Sequence, residues 1–434
     1  MDKARCTAVT ALVHQEQNGY ANLVLSAALE KQQLSARDKA FASALFYGVT
    51  ERLITLDWCL EKSLSKPLKK LDAEVRAILH SGLYQAKYMQ VPVAAAVNES
   101  VELCRGLKKS SAAGLVNAVL RKAVLQQPEQ ANYANKAQRL SVIYSVGRPV
   151  VDILLKQYPQ QAETMLKAMF TAPQTYLRCN TLKINTEELC RQLEQEGVRA
   201  CKGELPCSIA AELKGSPADT QAFQKGLFHV QGLASQLAAL SLGAKPGQAV
   251  LDLCAAPGGK TLLLAQQMEN KGTLISCDLA QNRLPLIQKS LERCGVTCAK
   301  VMHNDASVYQ AELGTFDCVL ADAPCSGLGI IAKKPDIRYK DMKNCRELHQ
   351  LQLEILTTAA RYVKKGGRLV YSTCTIDQRE NQQVVTAFLQ KHGEFKLVPA
   401  FTVPEGAVKE NEMLTMLPGY CGSDGFFIAT MERL

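Results

Sequence analysis

The chain has no C-x-x-C pair among its 16 cysteines and no glycine five residues before Gly259. It also lacks any run of the roughly 18 uninterrupted apolar residues that a membrane helix requires. Each absence removes a class of protein. Without paired cysteines at zinc spacing, and with Cys294, Cys298 and His303 lacking a second ligand pair, no metal is expected. Without a long apolar run, no membrane span is expected. The N-terminal MDKARCTAVTALVHQEQ sets Lys3 and Arg5 before a short apolar stretch, but His14, Gln15 and Glu16 end it. No small-residue cleavage site follows, so the expected location is cytosolic. Cysteines there stay reduced, which makes a disulfide framework unexpected and leaves Cys59, Cys104 and Cys277 to be read as small buried hydrophobes. The Gly-Lys-Thr at 259–261 invites a phosphate-loop reading, yet that motif needs glycine where Cys254 stands, so a nucleotide phosphatase is excluded.

What is present is an ordinary globular composition, 47% apolar and 21% charged over 434 residues. That length implies two or three domains at about 150 residues each. The net charge of +10 is concentrated at one end: residues 1–140 hold 19 Lys and Arg against 12 Asp and Glu, and the remainder 32 against 29. A basic excess gathered in one domain favours a polyanionic partner such as nucleic acid.

Three kinds of pattern follow one another along the chain. Residues 1–125 are helical throughout, as in 72–88, where Val75, Ile78, Leu79, Leu83 and Ala86 recur at spacings of three and four after the N-cap candidate Asp72. Pro128 and the polar run QQPEQANYANKAQRL at 126–140 predict a linker. Residues 141–240 mix strand and helix patterns, with YLRCNTLKINTEELC suggesting a strand, a turn and a helix capped by Asn185 or Thr186. From 241 to 434 short apolar strands alternate with helices (AVLDLCAA, TLISCDLA, AKVMHND, FDCVLADAP, RLVYSTCT, GFFIATMERL). That alternation predicts a doubly wound, mainly parallel sheet with its ligand beyond the carboxyl ends of the strands.

The candidate functional residues fall at those ends. In CAAPGGKT, Gly258 and Gly259 permit a tight strand-to-helix turn and a close backbone approach to a ligand at free amide donors. Asp278, about twenty residues on, is placed to accept from both ribose hydroxyls of an adenosine-containing ligand. Asp305 follows the third strand and suits an adenine amino group or, alternatively, a helix cap. LADAPCSGLG then presents Asp322 and Cys325, and VYSTCTI presents Cys374. Two cysteines at the sheet rim beside a carboxyl group suit methyl transfer to C5 of a pyrimidine. A thiolate adding at C6 makes C5 nucleophilic, a carboxyl near N3 promotes the addition, and the second cysteine serves release, where it could act as a base. Each thiol would need a lowered pKa, from helix N-termini or Lys260.

The helical words RDKAFASALFYGVTERLITLDWCL and AGLVNAVLRKA resemble the NusB-like RNA-binding domain. CAAPGGKT, DAPCSGLG with KKPDIRYK, YSTCT with REN, and the terminal GSDGFF resemble the RNA cytosine-C5 methyltransferases. The two halves together are similar to the bacterial 16S ribosomal RNA methyltransferases. The resemblance implies an α plus α/β architecture: a helical bundle, a small α/β subdomain of RNA-recognition type, and a Rossmann-like class I methyltransferase domain with a seven-stranded sheet. It implies S-adenosyl-L-methionine as cofactor, 16S ribosomal RNA as partner and cytosine 967 as target, with a monomer sufficient. By residue it implies Cys374 as nucleophile, Cys325 in product release and Asp322 near cytosine N3. The cofactor contacts are Cys254, Ala255, Ala256, Pro257, Gly258, Gly259, Lys260, Asp278, Asp305 and Asp322.

Candidate RNA contacts are Arg178, Asn180, Lys333, Lys334 and Arg338 around the flipped base, and Arg5, Arg37, Lys39, Arg121 and Lys122 in the helical region. Two departures from the family pattern are YSVGRPVVD at 144–152 and Asn304 in place of a glycine before Asp305. Transfer RNA methylation is the alternative within enzymes. A noncatalytic RNA-binding factor is the alternative outside them.

Overall fold

The computed structural model describes residues 2–18, 21–171, 174–213, 215–345 and 347–434. They form two compact units, one of residues 1–170 with 333–341 and the other of 171–332 with 342–434.

The first unit is helical, as its periodicity predicts. Its long helix, Ala36–Glu61, begins at Ser35, whose Oγ accepts from the Asp38 amide at 3.1 Å. The helix buries Leu45, Phe46, Val49, Leu56 and Leu60 in one core with the helices Lys3–Asn18, Ala73–Tyr88 and Ala113–Ala123. Asp72 occupies the N-cap position but makes no capping bond; its carboxylate pairs with Lys109 at 2.7 Å instead. The polar run at 126–140 is structured rather than extended. Tyr133 packs on Trp58 and donates to the Pro128 carbonyl at 2.8 Å, and Asn135 caps the helix Lys136–Tyr144. Pro128, Ala137 and Leu140 are buried, so a few apolar contacts together with side-chain caps hold a segment whose overall polarity reads as a linker. The helices Arg148–Gln157 and Ala162–Ala168 also belong to this unit.

The returning segment 333–341 completes the unit. Tyr339 Oη bonds Ser145 Oγ at 2.8 Å and accepts from the Leu53 amide at 3.0 Å, while the Arg338 carbonyl accepts from Gly147 at 2.7 Å.

The second unit holds two sheets. The smaller is antiparallel, built from β1 (Thr175–Cys179), β2 (Arg199–Lys202), β3 (Ser208–Glu212) and β4 (Phe228–Val230) in the order β2-β3-β1-β4. Asn185 caps the helix Thr186–Gln195 between its first two strands, with the Glu188 amide at 2.9 Å.

The larger sheet contains β5 (Ala249–Asp252), β6 (Thr273–Asp278), β7 (Ala299–His303), β8 (Phe316–Asp322), β9 (Val363–Thr373), β10 (Phe395–Val398), β11 (Val408–Glu410), β12 (Met413–Met416) and β13 (Phe426–Arg433). Its order β7-β6-β5-β8-β9-β13 is parallel through β9 and antiparallel at β13, which β10 flanks. Six of these are the strands read from the sequence, β10 makes the seven that the resemblance implies, and the hairpin β11-β12 extends the sheet along β13 to nine.

Alternate strand residues face opposite layers. Val250, Cys318, Leu320 and Val370 pack against the helix Leu233–Leu242, whereas Leu251, Val319, Leu369 and Tyr371 pack against Leu348–Tyr362 and Gln382–Lys391. Burial on both faces accounts for the continuous apolar runs. Strand order reverses between β5 and β8, so the ligand crevice opens where the turn after Asp252 faces Asp322.

Candidate active site

At the end of β5 the chain turns into the helix Gly259–Gln267 through Gly258, whose φ of +103° is open to glycine at little cost. Asp252, fully buried, accepts from Thr261 Oγ1 at 2.8 Å and fastens the turn; burial pushes its carboxyl up to about 7. Asp278, at the end of β6, accepts from the Ala256 and Ala280 amides, each at 3.0 Å, and lies 3.6 Å from Arg283. Asp305 uses Oδ1 to accept from Ser307 Oγ at 2.7 Å and from the Ser307 amide at 2.9 Å, bonds that hold its carboxyl below the usual range. No helix directly follows Asp305, so these bonds close a turn rather than cap a helix. Its neighbour Asn304, 2% exposed, has neither amide atom hydrogen-bonded within the chain.

Beyond β8 and β9 the two cysteines meet, Sγ to Sγ, at 3.3 Å. The loops that carry them are fastened to each other. Ser326 Oγ bonds Thr375 Oγ1 at 2.7 Å, and the Gly329 amide donates to the Cys374 carbonyl at 3.0 Å. The Gly425 amide donates in turn to the Gly329 carbonyl at 2.8 Å, which gives GSDGFF its place at the site. A Cβ on Gly329 would stand 1.9 Å from the Gly425 oxygen, so three backbones converge where only glycine fits. Asp322 engages both oxygens, Oδ2 with Lys260 Nζ at 2.6 Å and Oδ1 with Ser372 Oγ at 2.7 Å.

The electrostatics correct the expectation of two lowered thiol pKa values. The hydrogen bond to Cys374, then burial, drive the Cys325 thiol well above its ordinary value. Lys260, expected to stabilise a thiolate, is paired with Asp322 instead. Burial also raises the Cys254 thiol strongly.

Among the expected RNA contacts, three lie inside the protein. Arg178, 1% exposed, donates to Gln231 Oε1 and, at 2.6 Å, to the Gly259 carbonyl, so it ties β1 to the glycine turn. Asn180 donates to the carbonyls of Gly226 and Cys294 at 2.7 and 2.8 Å. Arg338, fully buried, donates to the Tyr144 and Met169 carbonyls and covers the Phe170 ring. Donors spent on buried acceptors cannot grip a phosphate, so these three side chains serve the fold. Arg5 is half-buried, bonded to Asp2 and Gln85. Arg37, Lys39, Arg121, Lys122, Lys333 and Lys334 are exposed.

Sequence reasoning missed Ser326, Gln352, Thr375, Glu380 and Asn381. Only the REN triplet beside YSTCT hinted at the last two. Among the described residues no group of three or more His, Cys, Asp or Glu side chains is arranged to hold a metal, and no helix is long and apolar enough to cross a membrane.

Comparison with known proteins agrees with this geometry. Residues 2–125 match the NusB family, 150–212 the ferredoxin-like domain of RsmF/B-like methyltransferases, and 239–432 the 16S rRNA methyltransferase RsmB/F family. A probable ribosomal RNA small subunit methyltransferase B of Bacillus subtilis is 36% identical over 441 residues, covering 99% of this chain and 98% of its own. The ribosomal RNA small subunit methyltransferase B of Escherichia coli O157:H7 is 32% identical over 409 residues, covering 93% and 92%. The crystal structure of PH0851 superposes with a TM-score of 0.85 at 27% identity, over 100% of this chain and 99% of that one. With the paired cysteines, the glycine turn and the helical unit all in place, the chain belongs to the RsmB/F family of 16S ribosomal RNA methyltransferases, in the group of ribosomal RNA small subunit methyltransferases B.

Proposed function

We propose that the protein transfers a methyl group from S-adenosyl-L-methionine to C5 of one cytosine in 16S ribosomal RNA, cytosine 967, through a covalent bond between Cys374 Sγ and cytosine C6. The observation that carries this reading is the 3.3 Å approach of Cys325 and Cys374 beyond the ends of β8 and β9, next to the switch point between β5 and β8. Residues 1–125 act as the RNA-binding domain and 241–434 as the catalytic one; of the stretch 141–240, the part from Thr171 onward belongs to the compact unit of the catalytic domain.

The crevice suits the methyl donor. Asp278 faces a ribose, the glycine turn from Cys254 to Gly259 faces the amino-acid portion, and the Asn304 amide, beside Asp305 and without a hydrogen-bond partner among the described residues, offers a donor and an acceptor to a purine edge. When bound, the donor supplies an electrophilic sulfonium methyl.

The chain's own residues do the rest. C5 of cytosine is a poor nucleophile until a thiolate adds to C6 and turns C5 into an enamine carbon. The contact with Cys374 and burial favour a protonated Cys325, and the attack on C6 is assigned to Cys374, the cysteine of the T-C motif. Asp322 lies beside it to share a proton with N3 as charge develops on the ring. After methylation the C5 proton leaves to a base at the crevice and the C6–S bond breaks, returning its electron pair to Cys374 Sγ. Cys325, in contact with that sulfur, assists the expulsion. The attacked face of a stacked base is covered, so the target enters flipped or from a loop.

The test is to incubate the protein with labelled donor and unmodified 16S ribosomal RNA and to map the methylated base by mass spectrometry, with transfer RNA in parallel. One 5-methylcytosine confined to 16S RNA is the expected result. Label in transfer RNA alone would retain the chemistry and overturn the substrate.

A further inference from the structure

Adjacent residues at the N-terminus of the helix Gln382–Lys391 reach the two cysteine loops separately. Glu380, 3% exposed, accepts through Oε2 from the Ser326 amide at 2.9 Å and from Gln352 Nε2 at 2.9 Å. Gln352 Nε2 also donates to the Pro324 carbonyl at 2.9 Å. Pro324 and Ser326 flank Cys325, so a two-residue brace fixes that loop on both sides. Asn381, fully buried, accepts through Oδ1 from Thr373 Oγ1 at 2.7 Å and donates through Nδ2 to the Thr375 carbonyl at 3.0 Å. Thr373 and Thr375 flank Cys374. Tyr371 Oη donates to the Glu380 carbonyl at 2.6 Å and anchors the dipeptide to β9. Among the described residues Glu380 Oε1 has no hydrogen-bond partner, although the side chain is buried.

Resting on the function proposed above, we infer that Glu380 and Asn381 are paired positioning residues that act on different steps: Asn381 holds Cys374 for attack at C6, and Glu380, with Gln352, holds Cys325 for release. A shift of about 1 Å in a reacting group can cost on the order of a hundredfold in rate, so loosening either brace slows its own step. Loosening the Glu380 brace leaves attack intact and release slow, and covalent RNA accumulates. Loosening the Asn381 brace slows attack, and no adduct builds up.

The experiment follows the covalent protein–RNA adduct by denaturing gel, alongside kcat and the KM for the methyl donor. Wild type, Cys325→Ala, Glu380→Ala, Glu380→Gln, Gln352→Leu and Asn381→Ala are compared with 16S ribosomal RNA as the probe. Glu380→Ala is expected to raise adduct at least about tenfold and to lower kcat on the order of tenfold to a hundredfold at unchanged donor KM. Glu380→Gln retains an oxygen for both hydrogen bonds and is expected to stay within about threefold of wild type. Asn381→Ala should lose rate without adduct.

Gln352→Leu reports on the same brace should Glu380→Ala fail to fold, and adduct accumulation in it is the expected outcome. Adduct with Cys325→Ala but with neither Glu380→Ala nor Gln352→Leu would overturn the inference alone. Absence of adduct with Cys325→Ala would overturn the function on which it rests. Loss in Glu380→Gln as deep as in Glu380→Ala would assign the carboxylate a charge role instead of a positioning one.

Discussion

Replacing Arg338 by alanine separates a structural arginine from an RNA contact. The side chain is fully buried, donates to the Met169 carbonyl at 2.5 Å and the Tyr144 carbonyl at 3.2 Å, and lies 4.3 Å from the Phe170 ring centroid. Two hydrogen bonds from a charged donor are worth about 1.5–3 kcal/mol each, and the ring contact adds roughly 0.5–2 kcal/mol. Against these stand the cost of burying the guanidinium and about 2 kcal/mol of side-chain entropy. A net loss of about 3 kcal/mol follows, concentrated in the helical unit. For a unit of roughly 180 residues that lowers its transition by about 6–12 °C. Differential scanning calorimetry reads the shift, and hydrogen exchange in the helix Ala162–Ala168 assigns it to the unit. Arg338→Lys should recover little, because an ammonium does not present the fork that reaches two carbonyls. An Arg338→Ala protein with unchanged transitions and weakened, less salt-dependent RNA binding would refute the reasoning and restore the phosphate contact.

Three further outcomes are expected. Gly329→Ala should disable methylation while leaving donor binding intact, since its Cβ would collide with the Gly425 carbonyl beside Cys374; equilibrium dialysis against labelled donor, paired with activity, checks it. Burial, then Arg178 and Arg293, push His229 down to about 3. The unfolded chain therefore takes up a proton that the folded one refuses, and the stability present above pH 6.5 is lost as pH falls toward 3, at about 1.4 kcal/mol per unit. His229→Asn should remove that slope in urea titrations at pH 6.5 and 5.5, and an unchanged slope would contradict the burial of a neutral imidazole. Lys334→Glu, at an exposed position, should raise the KM for RNA and leave the affinity for the methyl donor unaltered; weakened donor binding would contradict it.

The sheet was legible because its strands are buried on both faces and so stand out as apolar runs, each ending in a chemically marked turn. Cys254 to Thr261, Asp278, Asp322, Cys325 and Cys374 all lie where strand ends were expected. The hairpin β11-β12 was not legible, because β11 (Val408–Glu410) is exposed and β12 (Met413–Met416), though buried, is only four residues long. Charge was a poor guide to RNA contact. Arg178 and Arg338 read as basic surface residues, yet both are buried cross-links whose partners are backbone carbonyls distant in sequence, and no local pattern reports such partners. The same limit hid the braces of Glu380 and Asn381, which reach 54 residues back to Ser326 and 8 back to Thr373. Asp72 illustrates the opposite failure, a valid cap pattern overridden by a stronger charged partner, Lys109.

The division of labour between the two cysteines is tested most directly by following methyl transfer and covalent RNA adduct in Cys374→Ala and Cys325→Ala with the same 16S ribosomal RNA. Loss of both methylation and adduct in Cys374→Ala, with trapped adduct in Cys325→Ala, is the expected result. Adduct that persists in Cys374→Ala and vanishes in Cys325→Ala would contradict it and make Cys325 the nucleophile.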